Sequence, residues 1–119
     1  MFSPELQVAL RVFRALSAER RLEIIRLLAR GALCVGALSD LLGISAGGVS
    51  QHLRILEDAG LAGAERRGYY LHYKLTLGAA ERCRGAVRSI FARGEASKAG
   101  TAKPARCPRL RKACGRRRA

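Results

Sequence analysis

Acidic residues are scarce in this chain. Nine Asp and Glu stand against 23 Lys and Arg in 119 residues, a formal net charge of +14. A surface so short of carboxylates attracts polyanions, nucleic acid first and an anionic membrane surface second. Long apolar runs are missing too. None approaches the roughly 20 residues that cross a bilayer, so no membrane span is expected. The opening MFSPELQVALRVF lacks a basic stretch followed by an apolar block, so no signal peptide is expected. The expected location is therefore a reducing cytoplasm, where cysteines serve as thiols or ligands more often than as structural disulfides. Histidine is limited to His52 and His72. There is no carboxylate pair in an apolar setting, no phosphate-cradling glycine loop and no nucleophile–base motif. Acid–base catalysis is poorly provisioned, and an enzyme is not expected.

What is present divides the chain in two. Residues 1–93 carry regular apolar patterning, enough for one small domain with its own core. Residues 94–119, GEASKAGTAKPARCPRLRKACGRRRA, hold nine cations against the single Glu95 and few large apolar side chains. This tail cannot bury enough surface to offset its ordering and is expected to be disordered in isolation. The body is basic as well, with the remaining fourteen cations against eight acids.

Within the body the spacing predicts a mainly α fold of order α-α-α-α-β-β-α. SPELQVALRVFRAL reads as a helix capped by Ser3, with Pro4 in its first turn and a stripe of Leu6, Leu10, Phe13 and Leu16. SAERRLEIIRLLARG reads as a second, capped by Ser17, with Leu22, Ile25 and Leu28 inward and Gly31 at its end. VGALSDLLG is a short third helix closed by Gly43. Ser45 caps a fourth, with Val49, Leu53 and Leu56 on one face and Gly60 as its stop. LAGAERRGYYLHYKLT reads as two strands around a turn at Arg66-Arg67-Gly68, with its tyrosines in sheet packing. GAAERCRGAVRSIFAR is a last helix with Cys83, Val87, Ile90 and Phe91 on its apolar side.

Helix, tight turn, helix and then hairpin is the plan of a winged helix-turn-helix. Such a fold lays its second helix in a DNA major groove, where the first turns meet base edges and phosphates. Gly47 and Gly48 near that helix's start then make sense. Minimal side chains let the helix end approach the sugar-phosphate wall, with free N–H groups and the positive dipole end toward phosphate. Their helix cost, about 1 kcal/mol each against Ala, must be offset by packing. The plainer alternative is that either glycine is merely tolerated near a frayed end.

The pieces LSAERRLEIIRLL, ALCVGALSDLLGIS, VSQHLRILEDAGL and RRGYYLHYKL, spread over about residues 15 to 76, closely resemble the ArsR/SmtB family of winged-helix repressors. The resemblance implies a homodimer on an inverted-repeat operator in double-stranded DNA, released when an inducer binds, often a metal or metalloid ion. By position, Ser45, Ser50, Gln51, His52 and Arg54 fall on the reading helix. The Gln51 amide suits bidentate pairing with adenine. Ser45 and Ser50 suit phosphates, and Arg54 the backbone or solvent. His52 is either a reader or a half-buried, satisfied ring. Arg66 and Arg67 suit the minor groove or phosphates, unless they are an ordinary charged turn. Leu6, Leu10 and Phe13, together with Cys83, Val87, Ile90 and Phe91, offer more apolar surface than so small a core needs. That excess reads as a dimer interface.

The family's arsenic site resembles C-V-C with a third thiolate three residues later. Here ALCVGALS keeps Cys34 and has Gly36 and Ser39 at the other two places, so that site is not intact. The last helix has no histidine, which disfavours the family's zinc-type site there. Cys107 and Cys114 lie in the cationic tail, where neighbouring Arg and Lys favour thiolate. Three readings stay open. They form a soft-ion site for arsenite or antimonite, with or without Cys34; they form a redox disulfide; or they are incidental to a tail that adds DNA affinity. The competing class of function is a nonspecific, architectural nucleic-acid binder, since charge alone binds phosphate without sequence.

Overall fold

Ser3 starts the first helix: its Oγ accepts from the Leu6 N–H at 3.2 Å, and Pro4 opens α1 (Pro4–Leu16). The structure is a computed structural model that describes residues 3–92. The tail 94–119, with Cys107 and Cys114, lies outside the described residues. After α1 come α2 (Glu19–Leu28), β1 (Leu33–Cys34), α3 (Val35–Leu42), α4 (Ala46–Asp58), β2 (Ala62–Arg67), β3 (Tyr70–Leu75) and α5 (Ala79–Ile90).

Local chemistry explains most of these boundaries. Gly43 ends α3 with φ +68°. Gly60 follows α4 with φ +76°. There Leu61 N–H donates to the Leu56 carbonyl and Gly60 N–H to the Glu57 carbonyl, both at 2.9 Å, which is a Schellman closure. Ser17 does not cap α2 as expected. Its hydroxyl donates to the Arg14 carbonyl at 3.0 Å and closes α1, while Ala18 takes the cap position without a side-chain bond.

The expected hairpin is present, and a third strand joins it. β1 pairs antiparallel with β3, Leu33 opposite Tyr73 and Cys34 opposite His72, giving the sheet order β1-β3-β2. Two residues are too few to show a period-two signal, which is why β1 is not legible in the sequence.

The main core joins α2, α3, α4 and the base of the sheet through Ile24, Leu28, Leu38, Val49, Leu53, Leu56 and Leu61. Each such side chain contributes about 1.5–3 kcal/mol on burial. α1 and α5 make a second cluster of Ala9, Val12 and Ala86, with Phe13, Leu16 and Cys83 packed against it. The buried face of α1 is thus Ala9, Val12 and Ala15, whereas Leu6, Leu10 and Phe13 are half-buried at its edge. Small residues let the two helices approach closely. On α2 the inward residues are Ile24 and Leu28; Leu22, expected inside, is exposed.

Candidate nucleic-acid interface

α4 is pinned to the core by Val49, Leu53 and Leu56, all fully buried. On its opposite side Gly47, Ser50, Gln51 and Arg54 are exposed. They stand at helical positions i, i+3, i+4 and i+7, so they share one solvent-facing stripe. The start of the helix is set by Ser45, whose Oγ accepts from the Gly48 N–H at 3.0 Å. A Cβ on Gly48 would come within 3.3 Å of that capping oxygen; one on Gly47 would meet nothing within 4 Å. Gly48 therefore leaves room for the cap, and Gly47 leaves the helix end bare. The remaining free N–H groups of the first turn point outward with the positive end of the dipole.

His52 does not join the stripe. It is half-buried, and its Nδ1 lies 3.2 Å from Arg21 Nη1. Desolvation first, then the charges of Arg21 and Arg20, push the ring below its ordinary pKa of 6.5. Arg21 also donates from Nε to the Ala15 carbonyl at 2.8 Å and from Nη2 to the Arg14 carbonyl at 2.9 Å. Sequence reasoning missed Arg21. The available signal is its place in the first turn of α2, where the dipole disfavours a cation unless it has other work.

The β2–β3 hairpin forms the wing beside α4. Arg67 pairs with Tyr70, so the loop is Gly68-Tyr69, with Gly68 at φ +64°. Arg66 and Arg67 are therefore the last residues of β2 rather than part of the turn, and successive strand residues point to opposite faces. Both are exposed. Glu65 ties down one of them: its Oε2 lies 3.0 Å from Arg67 Nε, and its Oε1 lies 2.7 Å from Lys74 Nζ. Hydrogen bonds from Lys74 and Arg67 hold the Glu65 carboxyl below its usual range. Among the described residues Arg66 makes no ion pair. Of the tyrosines only Tyr73 packs on the core. Tyr70 is exposed, and Tyr69 at the loop is 97% exposed, contrary to the expectation of sheet packing.

α1 and α5 leave an apolar surface open. Val8 is 53% and Phe91 65% exposed, with Val87 and Ile90 also outward. Cys83, expected in that surface, is half-buried between the two core clusters, and desolvation raises its thiol pKa.

Cys34 caps α3, its Sγ accepting from the Ala37 N–H at 3.4 Å. A Cβ at Gly36 would lie 3.9 Å from that sulfur. The Ser39 hydroxyl donates to the Ile44 carbonyl and closes the turn before α4. Among the described residues no three His, Cys, Asp or Glu side chains are grouped to hold a metal ion. No helix among the described residues is long and apolar enough to cross a membrane.

This geometry has relatives. The family model described as "Bacterial regulatory protein, arsR family" matches residues 18–63. The Arsenical resistance operon repressor of Bacillus subtilis is 39% identical over 64 residues, which cover 53% of this chain and 61% of that one. The Transcriptional repressor SdpR of Bacillus subtilis is 34% identical over 64 residues, 54% of this chain and 71% of its own. The matched stretch thus spans less than two thirds of the arsenical repressor. Among solved structures, the homodimeric winged helix-turn-helix DNA-binding domain Mb0332 of Mycobacterium bovis, a possible ArsR-family regulator, superposes with a TM-score of 0.59. It is 29% identical over 82% of this chain and 90% of that domain.

Proposed function

This chain belongs to the arsR family of bacterial regulatory proteins, a family of regulators and not of enzymes, and from that premise we propose that it represses transcription as a homodimer on an inverted-repeat operator. The observation that carries the reading is the exposed stripe of Gly47, Ser50, Gln51 and Arg54 on a capped helix pinned from behind by the core. In this reading Gln51 reads adenine in the major groove, while Ser50 and Arg54 hold the backbone. The Ser45 oxygen accepts from Gly48, which leaves its hydroxyl hydrogen free to donate to a phosphate. Arg66 grips phosphate or the minor groove from the wing, and Arg67 assists with its charge partly offset by Glu65. The open surface of Val8, Val87, Ile90 and Phe91, edged by Leu6, Leu10 and Phe13, meets its two-fold mate. The homodimeric Mycobacterium bovis domain supports that arrangement.

Release by an inducer completes the proposal. The name of the arsenical repressor from Bacillus subtilis favours arsenite or antimonite as the class of ion. A three-thiolate site does not fit the described residues, where Cys34 is the only sulfur at α3 and Ser39 is engaged. The site would need Cys107 and Cys114 from outside them, with Cys34 as a third ligand. A gel-shift titration of reduced protein on DNA from upstream of its own coding sequence tests this, with excess random competitor. Release by arsenite or antimonite, lost in Cys107→Ser plus Cys114→Ser, is the expected result. Release by peroxide alone, reversed by reductant, would replace the ion with a thiol switch. Specific binding that neither releases would leave the cysteines without an inducing role.

A further inference from the structure

Arg21 joins three elements through one side chain. Two of its nitrogens donate to the Ala15 and Arg14 carbonyls at 2.8 and 2.9 Å, and its third nitrogen reaches His52 Nδ1 at 3.2 Å. Those carbonyls belong to the last turn of α1, where the negative end of the dipole favours a cation, and the Arg14 carbonyl also accepts from the Ser17 N–H and hydroxyl. The guanidinium fork is planar and rigid, so fixing two nitrogens on α1 aims the third at α4. His52 lies one residue from Gln51 on the reading helix. α1 in turn packs against α5 and carries the open apolar surface.

We propose that Arg21 is a positioning residue for DNA binding, holding the reading helix in register with the α1–α5 dimer face through a neutral His52. The proposal rests on the repressor reading above, since it is that reading which makes the register matter. A guanidinium only donates, so His52 Nδ1 must accept and the ring's proton must sit on Nε2. A protonated His52 has no lone pair to offer, and it would set a second cation against Arg21. The charged groups facing the ring are Arg21 and Arg20 from α2, and Arg20 is itself paired with Glu23 at 3.0 Å. α1 contributes the carbonyls, already bound by Arg21. The residues three and four positions away on α4, Gly48, Val49, Ile55 and Leu56, are uncharged. The ring's folded pKa is lowered from 6.5, so the neutral clamp is complete above 6.5 and is lost as pH falls below it through the folded value.

The sign of the effect is diagnostic. A histidine that simply touched DNA would strengthen phosphate binding when protonated, whereas protonation that breaks this clamp weakens operator binding. The test uses the full chain and measures operator affinity against pH and salt. Between pH 7.5 and 5.5, affinity of the wild type is expected to fall by less than tenfold, because a ring whose pKa lies below 6.5 is only part-protonated at pH 5.5. His52→Asn keeps an acceptor near Nδ1 and cannot be protonated, so its profile should be flat. Arg21→Met should lose about tenfold at pH 7.5 with an unchanged salt slope. A direct phosphate contact would instead reduce that slope by about 0.9. A flat or rising wild-type profile toward acid, or a reduced slope in Arg21→Met, overturns the proposal.

Nitrogen NMR of the His52 ring keeps the clamp separate from the repressor reading. The wild type should show the Nε2–H tautomer, and Arg21→Met should raise the ring's pKa toward 6.5. If no operator is bound specifically, the repressor reading fails and this spectrum alone judges the clamp. An unchanged ring pKa would then overturn it. Should Arg21→Met not fold, the wild-type tautomer and the His52→Asn profile still decide.

Discussion

Arg82 lies across the turn that ends the reading helix: a Cβ built on Gly60 would stand 2.9 Å from Arg82 Nε, at a backbone φ of +76°. Two costs therefore fall on Gly60→Ala. The guanidinium is the far end of a flexible, exposed side chain and can move aside. The left-handed backbone cannot, and it costs about 1–2 kcal/mol for a residue with a Cβ. Urea unfolding of Gly60→Ala should show that loss, and adding Arg82→Ala should recover little of it. Full recovery in the double variant would mean that the side chain, not the backbone, sets the cost.

The cap of the reading helix separates stability from DNA binding. Ser45→Ala removes the acceptor for the Gly48 N–H and should cost about 1 kcal/mol. Ser45→Asp caps as well as serine does, so unfolding should be nearly unchanged. Its carboxylate would stand where a phosphate is expected, and DNA affinity should drop at least tenfold. Unfolding and gel shifts on both variants check this; equal DNA affinity of Ser45→Asp and wild type would remove the helix start from the interface.

Glu65 restrains the wing. It pairs with both Lys74 and Arg67, which hold its carboxyl below the usual 4.5. The pairing is complete above 4.5 and is lost only as pH falls below that, so at neutral pH it always masks the two cations. Glu65→Gln unmasks them. DNA affinity is expected to rise, and the salt slope to steepen by about 0.9 for each cation that gains a phosphate. A slope identical to wild type would place both cations off the DNA.

Phe91, 65% exposed at the end of α5, is the sharpest probe of the dimer. Phe91→Glu leaves both core clusters intact, so the fold should survive. It places a carboxylate in an apolar interface, where it must be desolvated and where the neighbouring Arg84 and Arg88 are already paired with Glu81. Sedimentation equilibrium should show monomer where the wild type is dimer, with operator binding lost in parallel. A dimeric variant would put the interface elsewhere.

Local chemistry was readable in the sequence at four boundaries but not at α2, where Ser17 closes α1 instead and the helix ends at Leu28, before the expected Gly31. Ser3, Gly43, Ser45 and Gly60 each stop or start a helix as their side chains or their φ dictate. The α4 face was legible because Val49, Leu53 and Leu56 are large and helically spaced. The α1 face was not: Leu6, Leu10 and Phe13 dominate the pattern, yet the buried contact is made by Ala9, Val12 and Ala86, chosen for closeness rather than bulk. The wing arginines shifted from turn to strand because Gly68 takes the first loop position. The Arg21–His52 contact spans 31 residues of sequence and has no local signature, so only the fold reveals it.

The work proposed for α4 is sequence-specific reading of DNA. It is tested most directly by titrating reduced full-length protein against its inverted-repeat operator and against a random duplex at one fixed salt concentration. A preference of about 10³ or more is predicted. Gln51→Ala should cut that preference by about tenfold or more while leaving random-duplex affinity unchanged. Equal affinity for the two duplexes would contradict the account and leave a polycation that binds phosphate without reading bases.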